Sequence, residues 1–282
     1  MIGPGIFEGI AAAASFGSGD VLGGIGARRA GGMVVAAGSQ LVGAAALVVV
    51  LLLNPSPAPA PRALATAAAA GLFGVIGVAC LYRGLTLGSM GLVAAISALG
   101  SVLLPLGATI FVYRLPVGGW QLVGVACAAA AGAAATGAAR DRATRSALGL
   151  AAAAAVAFGM WYVLLDLAAG DGELWALTVS RLTASLFMIG MALLLARHRI
   201  RSGVRQVWPF IIFAGLLDVA GNALFVLSSS EIEVGLAAAL SGTYPLVTML
   251  LAGVVLHQSL PRFGLLGVGL ALAGIVLISI GG

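Results

Sequence analysis

The run Ala70-Gly71-Leu72, followed by Gly77, returns later in the chain as Ala214-Gly215-Leu216, followed by Gly221. Gly91-Leu92 likewise returns as Gly235-Leu236 and Ser97 as Ser241, at one shift (235 − 91 = 144) in a chain of 282 residues. Self-similarity at about half the length means two similar units. Reading outward from the matched runs, apolar segments of about 20 residues, the length needed to cross roughly 30 Å of hydrocarbon, fall five on each side. They cover residues 6–26, 33–53, 63–82, 91–113 and 117–137, then 147–168, 174–196, 207–228, 234–257 and 263–280.

The punctuation between them is polar or helix-breaking. Asn54-Pro55-Ser56-Pro57 closes the second segment, Arg140-Asp141-Arg142 separates the halves and Arg197-His198-Arg199 ends the seventh. Composition sets the solvent: 61% of residues are hydrophobic, 8% are charged and mean hydropathy is +1.15. A soluble domain does not carry such a balance. A lone strand cannot satisfy its backbone in lipid and the alternation of a barrel is missing, so the segments are helices. The expected class is therefore an all-α integral membrane protein, its ten transmembrane helices arranged as two inverted five-helix repeats. Five crossings are an odd number, so the second unit enters from the opposite face, an arrangement found in secondary transporters. The repeats occupy residues 1–139 and 147–282, joined by a basic inter-repeat loop at 140–146.

All 14 basic residues other than the two histidines are Arg. Connections after odd-numbered segments hold Arg28, Arg29, Arg83, Arg140, Arg142, Arg145, Arg197, Arg199, Arg201, Arg205 and Arg262, whereas the opposite side holds Arg62 and Arg114. Arginines placed this way orient a chain in a membrane rather than bind nucleic acid, and they predict a plasma-membrane protein with both termini outside. The first segment has no preceding basic residue and is expected to be retained rather than cleaved. Cys80 and Cys127 have no paired spacing and indicate neither a disulfide nor a metal site.

Several short motifs carry a family resemblance. Leu81-Tyr82-Arg83-Gly84-Leu85-Thr86-Leu87-Gly88, Thr243-Tyr244-Pro245-Leu246-Val247-Thr248, the Gln121-Leu122-Val123-Gly124 pattern with its twin Gly264-Leu265-Leu266-Gly267, and Phe16-Gly17-Ser18 are similar to the EamA-type branch of the drug/metabolite transporter superfamily. The acidic residue usual before the fifth and tenth spans is replaced by Arg114 and Gln258, and many relatives keep their termini in the cytoplasm. What the resemblance implies is a secondary transporter of small metabolites, often outward, through a central cavity between the repeats.

Polar side chains inside the spans are the candidates for that cavity, because lipid tolerates them only where they face water or each other. Asp218 and Asn222 are four apart and share a helix face. Thr178, Ser180 and Arg181 cluster inside the seventh span, and Ser15, Ser18 and Asp20 lie in the first. Arg181 has two readings. A guanidinium is always charged and offers paired donors to a substrate carboxylate or phosphate; equally, it can pair internally with Asp218 or Asp20. Asp20 and Asp218 are candidate proton carriers, because burial favours the neutral carboxyl; the alternative for Asp20 is a carboxylate at the mouth facing Arg28. Glu8 reads as wetted at the outer interface. Trp161 and Tyr244 are candidates for stacking on a ligand, with Ser97 and Ser241 lining its path. Pro105 and Pro245 fall inside spans, where each removes a backbone donor and can kink a helix that gates. Trp120, Trp175 and Trp208 read as interface anchors. Small residues at Gly124, Ala128, Gly132, Gly267 and Ala271 allow close helix packing, within the chain or between the protomers of a homodimer.

Other classes fit less well. A chain without Lys cannot hold a Gly-Lys-Ser/Thr phosphate loop, which excludes a primary pump of that type. His198 and His257 lie at span ends without partners spaced for metal or nucleophile chemistry, so neither an enzyme nor a cofactor is indicated. A passive channel or facilitator remains the alternative, and an intramembrane enzyme the more remote one. The expected partners are the lipid bilayer and a small-molecule substrate.

Overall fold

The computed structural model describes residues 3–87, 96–97, 102–135, 145–195 and 197–255, with short helical pieces between 266 and 277. Expectations that fall elsewhere, Gly91-Leu92, the inter-repeat arginines Arg140 and Arg142, and His257 to Arg262, lie outside the described residues. Among the described residues the chain is helical and contains no strand. The helices are α1 (Pro4–Ala30), α2 (Gly32–Leu53), α3 (Pro61–Leu87), α4 (residues 102–112), α5 (Gly119–Ala135), α6 (Arg145–Ala169), α7 (Glu173–Leu195), α8 (Arg197–Glu231), α9 (Val234–Ser241) and α10 (Tyr244–Val255).

Seven stretches are long and apolar enough to cross a membrane, namely Pro4–Ala27, Gly32–Leu53, Pro61–Leu81, Arg145–Ala169, Glu173–Leu194, Val204–Glu231 and Val234–Val255. Val102–Val112 and Gly119–Ala130 are apolar but shorter. These match the expected spans one to nine in order, with the fourth and fifth only partly covered.

The breaks follow from local chemistry. Gly31, at φ +93°, reverses the chain between α1 and α2 in one residue, a conformation that side chains disfavour. Asn54 ends α2 by donating from its backbone and its side-chain amide to Val50 O, at 2.9 and 3.2 Å. Val207 (φ −127°, ψ 15°) interrupts α8 two residues before Pro209, which lacks the N–H that would continue the ladder. The ninth span breaks in the same way. Helix α9 stops at Ser241, Gly242 and Thr243 turn, and α10 resumes at Tyr244, so that Pro245 lies in a first turn where its missing donor costs nothing. The expected interruption at Pro245 is thus a full break one turn earlier. At Pro105 the change is milder: α-helical turns pass into a π-helical stretch at Ala108–Val112. The Thr109 hydroxyl donates to Pro105 O (3.1 Å) and accepts from Gly235 N (3.1 Å), tying α4 to α9.

Glycine decides how the helices cross. A Cβ on Gly71 of α3 would sit 2.2 Å from Ser180 O of α7, and one on Gly215 of α8 would sit 2.5 Å from Ser39 O of α2. On Gly77 it would meet the Phe158 ring of α6 at 2.7 Å, and on Gly221 the Phe16 ring of α1 at 2.6 Å. The matched glycines therefore have matched partners, with each half lending one helix to the other: α3 packs on α6 and α7, and α8 packs on α1 and α2. The small-residue face of α5 is covered within the chain, since a Cβ on Gly274 would lie 2.8 Å from Gly124 O and 3.1 Å from Ala128 N.

Leu165, Leu177, Tyr162, Phe225 and Val226 fill the largest core cluster. Leu53, Phe111, Leu194 and Val254 point outward, each at least three-quarters exposed, which suits a hydrocarbon surround. Trp120 is exposed at the start of α5, Trp208 is exposed beside the break in α8 at Val207, and Trp175 donates to Ser56 O at 3.2 Å.

Candidate functional site

Three helices bring polar groups together near the middle of the bundle. Arg181 of α7 is buried, 8% exposed, and its Nη1 donates to Gln40 Oε1 of α2 at 2.7 Å and to Asp218 Oδ2 of α8. The Ser185 hydroxyl, one turn along α7, lies 2.8 Å from both Gln40 O and Arg181 O and shares its single proton between them. The guanidinium is therefore held between a charged and a neutral acceptor, the arrangement a buried cation requires. Asp218 is more open than its partner, with 37% of its side chain accessible. Of the two readings of Arg181, the structure displays the internal pair, and it selects Asp218 over Asp20.

Asn222 lies one turn from Asp218 and donates from Nδ2 to Asp218 O at 2.8 Å. Its Oδ1 is buried without a hydrogen-bond partner among the described residues. A buried acceptor left unpaired costs about 1–3 kcal/mol, so such an atom is a natural place for an incoming donor.

Asp20 of α1 is surface-accessible although it lies well inside the span, and the Thr248 hydroxyl of α10 faces its Oδ2 at 3.3 Å. Asp218 is near enough for the two charges to interact. One turn back on each helix, the Phe16 and Tyr244 rings meet edge to face, with centroids 6.1 Å apart. Gly17 lets α1 and α10 approach, since a Cβ there would lie 2.6 Å from Val247 Cβ. Asp20 thus faces α10 and α8, and the side chain of Arg28, its expected neighbour at the mouth, lies outside the described residues.

The remaining candidates have local partners. Ser18 donates to Ala14 O of its own helix at 2.7 Å, and Ser15 to Leu217 O at 2.8 Å. Ser97 lies 3.5 Å from Ala151 O, at the α6 packing contact. Ser241 donates to Ala237 O (2.8 Å) and lies 3.4 Å from the Tyr162 hydroxyl. Trp161 is engaged with Tyr162 (centroids 4.6 Å) and Phe225 (6.2 Å), so its ring is part of an aromatic core. Thr178 donates to Leu174 O. Glu8, expected to be wetted, is half-buried and its Oε2 lacks a partner among the described residues.

Sequence reasoning missed Gln40, Ser185 and Thr248, and the Tyr113 hydroxyl that donates to Asp166 Oδ2 at 3.3 Å. Ser39-Gln40 and Ser180-Arg181 make corresponding contacts in the two halves, as Gly215 and Gly71 show, but at a shift of 141 rather than 144, so the repeat in the sequence does not mark Gln40. A groove of about 520 Å³ lies elsewhere, in the apolar outer surface between α2 and α8, where Val42, Val49, Ile212 and Leu216 line it.

No curated protein matches the chain significantly in sequence. Among solved structures 29 chains match. One, described only as "Crystal structure of protein", superposes with a TM-score of 0.78 over 98% of this chain and 96% of its own, at 16% identity, which establishes a shared fold. The model of the EamA-like transporter family matches residues 145–280, which comprise α6 through the last described helical pieces. Through this half, the chain is similar to the EamA-like transporter family.

Proposed function

We propose that the protein is a secondary transporter, an exporter or exchanger of small metabolites such as amino acids or related polar and amphipathic compounds. It works by alternating access across a central cavity between two inverted five-helix repeats. The observation that carries this reading is the exchanged packing of α3 and α8, in which Gly71 and Gly215 meet the Ser180 and Ser39 carbonyls in the same way. Two halves that each hold one helix of the other can trade conformations by rocking, and a site between them is then exposed to either side in turn. The Arg181, Asp218, Asn222 and Asp20 cluster is the substrate site in this reading, with Asp20 and Asp218 as proton-coupling candidates. The break at Gly242 and Thr243 forms the movable element beside it.

The membrane is the plasma membrane and the termini face outward. In support, the charges of Glu8, Glu173 and Glu231 gather at the end of the bundle opposite the arginine-rich connections. Reconstitution tests the mechanism: purified protein in proteoliposomes gives saturable counterflow. Linear flux would identify a passive channel, and consumption of the ligand an enzyme.

A further inference from the structure

We propose that the space between α1, α8 and α10 selects a protonated amine, with the Asp20 carboxylate as its counter-charge and the Phe16 and Tyr244 rings beside it. The proposal rests on the reading of this cluster as the substrate site and names the group that the site recognises.

The charge balance points there first. Arg181 is the cation of the cluster, and it is buried and occupied by Asp218 and Gln40. Asp20 is a second carboxylate with no cation paired to it among the described residues; its partner is a neutral Thr248 hydroxyl. The cluster thus carries one carboxylate more than it has cations. Its accessible atoms are of one kind as well. Asp20 and Asp218 are both partly open, and carboxylate oxygens only accept hydrogen bonds. The unpartnered Asn222 Oδ1, in a side chain 4% exposed, adds a third acceptor on the Asp218 face. An ammonium supplies three donors and a positive charge, whereas a carboxylate would face three acceptors and find the only nearby cation taken.

Position explains why the site is open. Asp20 lies about 10 Å along the helix from Ala27, where its span ends, and still has accessible surface. Its neighbours on that side are Thr248 and Asp218, so the accessible space lies between helices. Phe16 and Tyr244 stand one turn from Asp20 and Thr248, at the 5–6 Å spacing of side chains four apart on a helix. That distance places an ammonium held by Asp20 within about 6 Å of an aromatic ring, where its attraction to the ring is significant.

Three compounds with the same ring separate the possibilities: phenethylamine, phenylalanine and 3-phenylpropionate. With the full-length protein in detergent, binding measured by calorimetry is expected to rank the amine at or above the amino acid, with the acid showing none. Asp20→Asn should weaken amine binding about tenfold or more, as for loss of a charge-assisted bond. Asp20→Glu retains most of it, Tyr244→Leu weakens it about threefold, and Tyr244→Phe leaves it intact. Should Asp20→Asn fail to fold, the Tyr244 pair carries the test. The proposal is overturned if the acid binds as well as the amine, if no amine binds at millimolar concentration, or if Asp20→Asn binds the amine as tightly as the parent. Counterflow in proteoliposomes keeps the two readings apart. Saturable exchange of phenylalanine or the acid that survives Asp20→Asn sinks the amine site and leaves the transporter. Binding of the amine that depends on Asp20, without exchange of any compound, does the reverse.

Discussion

Replacing Asp218 with Asn removes the charge facing Arg181 while keeping a carbonyl of similar shape. The guanidinium is 8% exposed and retains Gln40 Oε1 at 2.7 Å, but has no counter-charge. Breaking a buried pair from one side costs about 3–5 kcal/mol, and the surviving acceptors offset part of this, leaving about 2–4 kcal/mol. Replacing Arg181 with Gln is the milder change. It strands Asp218, whose side chain is 37% accessible, so water screens the orphaned carboxylate and the loss falls to about 1–2 kcal/mol. The double variant leaves no unpaired charge and should recover about 1–3 kcal/mol relative to the sum of the single changes. Unfolding in detergent mixtures, followed by tryptophan fluorescence, gives the four stabilities of the cycle. The reasoning fails if Arg181→Gln is as destabilising as Asp218→Asn, or if the two losses simply add.

Gly71→Ala and Gly215→Ala drive a methyl into a carbonyl oxygen at 2.2 and 2.5 Å, and each should lower stability by about 1–3 kcal/mol or more. Gly190→Ala, with open space at its Cβ, should be neutral or gain up to about 1 kcal/mol from helix propensity, read in the same unfolding assay. Tyr113→Phe removes one bond to Asp166, at 3.3 Å, and should cost about 0.5–1.5 kcal/mol, with no change in the oligomeric profile on size exclusion. Fusions at Gly282 should give active alkaline phosphatase and a dark fluorescent protein; the opposite pattern would place the C-terminus in the cytoplasm.

Much of this architecture is legible in the sequence because lipid leaves few options. Runs such as residues 33–53 must be helical, and Asn54 ends α2 for reasons visible in its own chemistry. The pairing of Arg181 with Asp218 is one of two partners that burial alone allows. What chooses between them is the crossing of α7 and α8, and nothing local encodes that. Gln40 is hidden for another reason: it is uncharged, lies in an apolar span, and matters only because α2 passes Arg181. Ser18 and Trp161 show how little residue character alone decides. Polar or aromatic character marks a residue as a candidate, yet a hydroxyl in a helix can bond to the carbonyl four residues back, and an indole can pack on two other rings.

The meeting of Gln40 with Arg181 bears on ancestry. If the two halves descend from one gene whose product paired with a second copy of itself, this position would then have faced its own twin across the symmetry axis. Two glutamines can bond to each other in that place, since an amide both donates and accepts. Two arginines can only donate, so neither accepts from the other, and their charges would repel within a buried crossing. On that descent the arginine is the later change, open only after the two copies could differ, and the glycine seats of Gly71 and Gly215 are the shared inheritance.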